Sequence, residues 1–148
     1  MTQSLDGALP MDAILQSLSG LGSFSLYFTT AIALLMAFKF IFVWITPHDE
    51  WKLVKDKQNS AAATGFVGAV IGFSIALGSA ASNSLSLVDF VLWGLVGLIA
   101  QVLAYAIVRF VFVPEITSRL NNNEMSAGII LGGISIAVGI LNAACMTY

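Results

Sequence analysis

The sequence predicts an all-α fold, an integral membrane four-helix bundle, and three observations carry that reading. First, the 148-residue chain is 58% hydrophobic and only 9% charged, with a mean hydropathy of +0.92. Soluble domains carry about a quarter charged residues and under half apolar ones, so a water-soluble enzyme or binding module of this size would have too much apolar surface to hide. Disorder is excluded by the same figures, because it needs low hydrophobicity and high charge. Second, the apolar residues fall into four runs, each near the roughly 20 residues that cross a hydrocarbon core. Third, all six basic residues gather at one side of such a four-span arrangement. A formal net charge of −2 leaves no electrostatic footprint for nucleic acid, and none is expected as a partner.

The segment 1–20 is expected to form a periplasmic leader or a short amphipathic helix. It lacks the basic start of a cleaved signal peptide, since no Lys or Arg precedes Lys39. After Pro10, Met11, Ile14, Leu15 and Leu18 recur at i, i+3, i+4 and i+7. That spacing makes one apolar helical face, suited to the membrane surface or to packing on the bundle. The membrane domain, 21–148, then holds spans predicted at about 21–45, 60–81, 88–113 and 125–147. Lys39 is the one charge in the first span, Asp89 and Arg109 mark the two ends of the third, and the second and fourth carry none.

The first loop reads as a short helix. Thr46 is placed to serve as its N-cap, Pro47 as its first residue and Asp49 as the acid three positions after the cap. Trp51 and Val54 share a face that could rest on the bilayer, with the lysines reaching water or anionic headgroups. A metal or proton site on His48 with Asp49 and Glu50 is the sharper alternative. The chain has one His and no second ligand cluster, so the helix start is preferred and no metal or cofactor is expected.

Lys52, Lys55 and Lys57 lie in the first loop and Arg119 in the second, while Lys39 and Arg109 sit within reach of those same ends. The opposite side, with the N-terminal segment, the link at residues 82–87 and the last residues, has no Lys or Arg. The positive-inside rule makes the basic side cytoplasmic and both termini periplasmic.

The halves share a layout of span, proline-containing loop and span, which predicts two duplicated transmembrane hairpins. A shift of 67 aligns Pro47 with Pro114 and Gly65 with Gly132; a shift of 61 instead aligns 72–78 with 133–139. An even number of spans per unit makes these parallel repeats, unlike the inverted repeats frequent in transporters.

Small residues form stripes on three spans. Gly128, Gly132, Ser135, Gly139 and Asn142 share one face of the fourth; Ala61, Gly65, Gly68 and Gly72 share one of the second. The third offers Gly94, Gly97, Gln101, Tyr105 and Arg109 on roughly one face. Such residues let helices approach closely, within a chain or between copies. Intramembrane polar groups are costly, so Gln101 and Asn142 are candidate functional positions, with Arg109, Lys39 and Asp89 nearer the ends. They read either as interhelical hydrogen bonds and interface anchors or as a polar path through the bundle. Cys145 is the single cysteine, which leaves no intrachain disulfide and no Cys-x-x-Cys site. Trp44, Trp51, Trp93 and Tyr148 read as interface anchors.

The run Ile45-Thr46-Pro47-His48-Asp49-Glu50-Trp51, then Asn59-Ser60-Ala61-Ala62, and the closing Asn142-Ala143-Ala144-Cys145-Met146-Thr147 resemble the YjfL family of bacterial inner-membrane proteins. Asp89, Trp93, Gln101 and Arg109 fall at that family's spacing, and Glu124-Met125-Ser126-Ala127 departs from its repeated Asn-x-Ala-Ala. The resemblance implies a multi-pass inner-membrane protein of unknown function. It marks Trp44, Pro47, Glu50, Asn59, Gln101, Arg109 and Asn142 as motif positions, and it implies the company of a membrane-stress partner protein of the phage-shock type. The expected function is that of a self-associating, non-enzymatic membrane-stress or scaffold component, a homo-oligomer in the lipid bilayer. The alternative is an oligomeric channel or transporter for ions or small solutes, lined by Gln101, Asn142 and Arg109. No nucleophile–base pair supports an enzyme.

Overall fold

Each of the four apolar runs forms a helix in the computed structural model, which describes residues 10–47 and 49–147, with the side chains of Pro10 and Glu50 left out. In chain order the elements are α1 (Pro10–Ile45), α2 (Glu50–Lys57), α3 (Ser60–Asn83), α4 (Leu87–Ile107), a π-helical turn (Val108–Phe112), α5 (Ile116–Asn121) and α6 (Met125–Cys145). No strand occurs among the described residues. Helices α1, α3, α6 and α4 with its π-turn are long and apolar enough to cross a membrane.

The N-terminal expectation needs correction. Among the described residues no separate short amphipathic helix precedes the first span, and no break falls at residue 20; α1 is one continuous, largely apolar helix of 36 residues. Gly20 and Gly22 do not interrupt it, since a helix tolerates an isolated glycine for about 1 kcal/mol. At 1.5 Å per residue α1 is about 54 Å long, against a hydrocarbon core of roughly 30 Å.

The first loop also starts its helix later than expected. The Thr46 hydroxyl donates back to the Phe42 carbonyl at 2.9 Å and so closes the last turn of α1. Asp49 is the actual N-cap of α2, its carboxylate accepting from the Lys52 amide at 3.1 Å. His48 lies outside the described residues, as does Tyr148. Leu53 is buried under α2, and Trp51 lies between Lys39, whose Nζ is 4.1 Å from the ring centroid, and Phe66 at 6.0 Å between ring centroids, with part of the ring still exposed.

Helices α3 and α6 run parallel and make the closest approach in the molecule. A Cβ on Gly68 would fall 2.2 Å from the Gly132 Cα, one on Gly128 2.2 Å from the Ala61 carbonyl oxygen, and one on Gly139 2.2 Å from the Gly72 carbonyl oxygen. Only hydrogen fits at these points, so backbone lies against backbone along the whole seam. Gly65 meets Leu131 of α6, and on α4 Gly94 meets Leu34 of α1 while Gly97 meets Ala76 of α3. These six contacts, which involve eight glycines, are made within one chain.

The second helices of the two hairpins, α3 and α6, run in the same direction, and their starts are offset by neither 67 nor 61 positions. The starts of α3 and α6, Ser60 and Met125, lie 65 positions apart, as do Gln58 and Asn123, the two non-glycine residues at positive φ that precede them. The core beside the seam is aromatic: Phe38 stacks on Phe73 at 4.7 Å between centroids and meets Phe42, which meets Tyr105 edge-on at 6.0 Å. Phe90 closes the other end against Tyr27.

Candidate functional site

The deepest polar group lies where α3, α4 and α6 converge. Gln101 is fully buried, and its Nε2 donates to the Ser135 carbonyl oxygen at 3.0 Å. That oxygen is already the acceptor of a helical turn, so a second donor from α4 bridges two helices without breaking α6. Gly72 makes the bridge feasible: a Cβ there would lie 2.2 Å from the Ser135 oxygen and 2.7 Å from Gln101 Nε2. The Gln101 Oε1 and the Ser135 hydroxyl, both buried, have no protein partner in this junction.

Asn142 lies toward the other end of α6, its Nδ2 buried and without a protein partner. A Cβ on Gly97 would lie 3.5 Å from that nitrogen, so Gly97 shapes the space beside the Asn142 amide as Gly72 does beside Gln101. Gln101 and Asn142 thus face the same α4–α6 contact. Neither residue lines the cleft that Arg109 occupies or the apolar groove beside Gly68 and Gly132.

Arg109 belongs to a separate place. It sits on the π-helical turn that ends the third span, half-buried, its guanidinium 5.7 Å from the Phe110 ring centroid. The π-turn inserts a residue into the helical ladder, closed by the Val113 amide on the Val108 carbonyl at 2.7 Å. Arg109 lines a polar cleft of about 550 Å³ together with Pro47, Glu115, Thr117 and Ser118. The structure therefore does not join Arg109 to the Gln101 junction.

At the basic end Asn59 is buried and its side chain ties α3 to α5. It caps α3, accepting from the Ala62 amide at 2.8 Å, and its Nδ2 donates to the Leu120 carbonyl of α5 at 2.7 Å. Asn123, in the left-handed region at φ 58°, accepts from the Ala61 amide at 3.0 Å and so serves the same helix start from the second loop. Asn123 was not among the sequence candidates; its signal was its place in the polar Asn121-Asn122-Asn123 run before an apolar helix. Arg119 closes that loop, with Nε 2.6 Å from the Glu124 carboxylate and a second bond to Ser126 at 3.0 Å. Glu50 begins α2, and its side chain lies outside the described residues. The described residues contain no group of three or more His, Cys, Asp or Glu able to hold a metal.

Four apolar helices around a glycine seam, one fully buried amide bridge and polar ends define a polytopic integral membrane protein. Comparison with known proteins makes the class specific. The family model described as Domain of Unknown Function (DUF350) matches residues 16–146, which take in the seam, the junction and both loops, and the chain belongs to that family. It is 41% identical over 131 residues to the UPF0719 inner membrane protein YjfL of Escherichia coli (strain K12), covering 88% of this chain and 98% of the relative. It is 25% identical over 119 residues to the UPF0719 transmembrane protein YshE of Bacillus subtilis (strain 168), covering 80% of this chain and 88% of that one. No solved structure matches the chain.

Proposed function

We propose that the protein is a non-enzymatic, self-associating component of the bacterial inner membrane, with the basic loops in the cytoplasm and both termini in the periplasm. The observation that supports self-association is the length and exposure of α1. Its roughly 54 Å would need a tilt well beyond the 0–40° of membrane helices to fit a 30 Å core. The first turns therefore stand clear of the hydrocarbon, where Met11, Ile14, Leu15 and Leu18 are all exposed along one face. An apolar stripe of this spacing in water is covered by the same stripe of another copy at the least cost in exposed surface. The glycine seams, satisfied within the chain, do not supply the oligomer contact.

A scaffold or membrane-stress role follows from this reading together with the resemblance to the YjfL family, the cytoplasmic loops offering the partner surface. Transport is the weaker reading, because Gln101 is bonded across a tightly packed junction and Arg109 is turned away from it. Native mass spectrometry of the full chain in mild detergent and in nanodiscs tests the proposal. A defined oligomer is expected, reduced to monomer by Leu15→Glu with Leu18→Glu. A wild-type chain that stays monomeric in lipid overturns it.

A further inference from the structure

The Arg109 cleft has the chemistry of a lipid headgroup site. Its guanidinium has no carboxylate at ion-pair distance among the described residues, although Glu115 lines the same cleft. The hydroxyl-bearing Thr117 and Ser118 line it too. A second cleft of about 380 Å³ shares Pro47 and Asn121 with the first and adds Lys52 and Lys57 beside Asp49. Among the described residues that line the two clefts, three cations stand against two carboxylates. On the same π-turn Phe110, Val111 and Phe112 are 74%, 70% and 61% exposed, an apolar ledge next to a polar hollow at the end of a span.

A guanidinium presents a planar fork that matches phosphate oxygens, and an interfacial arginine without a carboxylate partner is the residue suited to take them. A free anion would use the hollow alone, whereas a phospholipid would use the hollow for its phosphate and the ledge for the start of its acyl chains. We propose that the cleft between the α1–α2 corner and α5 binds the phosphate of an anionic phospholipid, with Arg109 as the principal contact and Lys52 and Lys57 as supporting charges. The π-turn that carries Arg109 ends the third span, within reach of the headgroup layer.

The test uses the purified, delipidated full chain in mild detergent, with lipid retention read by native mass spectrometry and melting temperature read in parallel. Phosphatidylglycerol is expected to be retained, and to raise the melting temperature, more than phosphatidylcholine at equal concentration. Arg109→Gln is expected to weaken phosphatidylglycerol retention about tenfold, the factor that corresponds to losing one charge-assisted bond of about 1.4 kcal/mol. Arg119→Gln, at the same end but paired with Glu124, is expected to leave it unchanged. Should Arg109→Gln not fold, Lys52→Gln with Lys57→Gln is expected to lower retention in the same direction. Equal retention of the two lipids by the wild type, or an undiminished preference in Arg109→Gln, overturns the site. Full protection by inorganic phosphate alone overturns its assignment to lipid.

Discussion

Gln101 and Ser135 join the third and fourth spans through a single side-chain to backbone bond of 3.0 Å, made in a space that the absent side chain of Gly72 leaves open. The bond and the seam depend on each other. Any group larger than hydrogen at position 72 would push α3 off α6 and displace the amide from its acceptor at the same time.

Substitution at the seam is expected to separate glycines by location. Gly68→Ala and Gly72→Ala place a methyl against backbone and should each cost about 1–3 kcal/mol, the usual range for overpacking. Gly78→Ala and Gly133→Ala meet nothing within 4 Å and should be neutral or slightly stabilising through helix propensity. Thermal unfolding in detergent reads the difference, and equal losses at all four positions would contradict the seam.

Gln101→Leu should cost about 0.6–1.7 kcal/mol, the span of interhelical hydrogen bonds measured in membranes. It keeps volume and removes the unpartnered Oε1 along with the bond. Gln101→Ala should cost more, because it adds a cavity to the lost bond. The order of the two melting temperatures checks this.

At the basic end, Asn59→Ala should lose both the α3 cap and the tie to Leu120, a loss of about 2 kcal/mol from a cap and a buried hydrogen bond together. Asn59→Asp retains the cap acceptor but leaves the Leu120 carbonyl without its donor, so its loss should be intermediate. Hydrogen exchange at the first turn of α3 and at α5 should rise in that order, and a change confined to α3 would exclude the tie.

The proposed orientation rests on the basic residues and is read by cysteine labelling. In a Cys145→Ser background, Thr147→Cys should react with an impermeant maleimide in intact spheroplasts. Lys57→Cys, in an exposed turn of α2, should react only after the membrane is opened. The reverse pattern would place the basic loops outside.

The α1 extension shows where reading the sequence stopped short. Met11, Ile14, Leu15 and Leu18 have helical spacing, but nothing local says whether that helix ends at Gly20 or continues. It continues because the backbone finds no competing turn or cap there, and Phe28 to Ile45 already fixes the axis it extends. Thr46 shows the converse: its side chain suits the start of one helix and the end of another equally well, and the Phe42 carbonyl one turn earlier took it.

Composition and hydropathy determined the solvent, the helical class and the number of spans. These are legible because in hydrocarbon every backbone group must be paired within its own segment, which leaves a run of about 20 apolar residues no other option than a helix. The identity of the polar and glycine positions was legible for the same reason, since either type stands out in an apolar run. What those positions touch was decided only by tertiary structure. A glycine stripe allows close approach but does not name the neighbour, and two parallel helices 65 positions apart met along it, within one chain. Arg109, assigned by spacing to the stripe of Gln101 and Tyr105, lines a separate cleft at the end of the span. Eight positions at 3.6 residues per turn leave Arg109 about 80° round the helix from Gln101, a drift that a stripe read in steps of three and four overlooks.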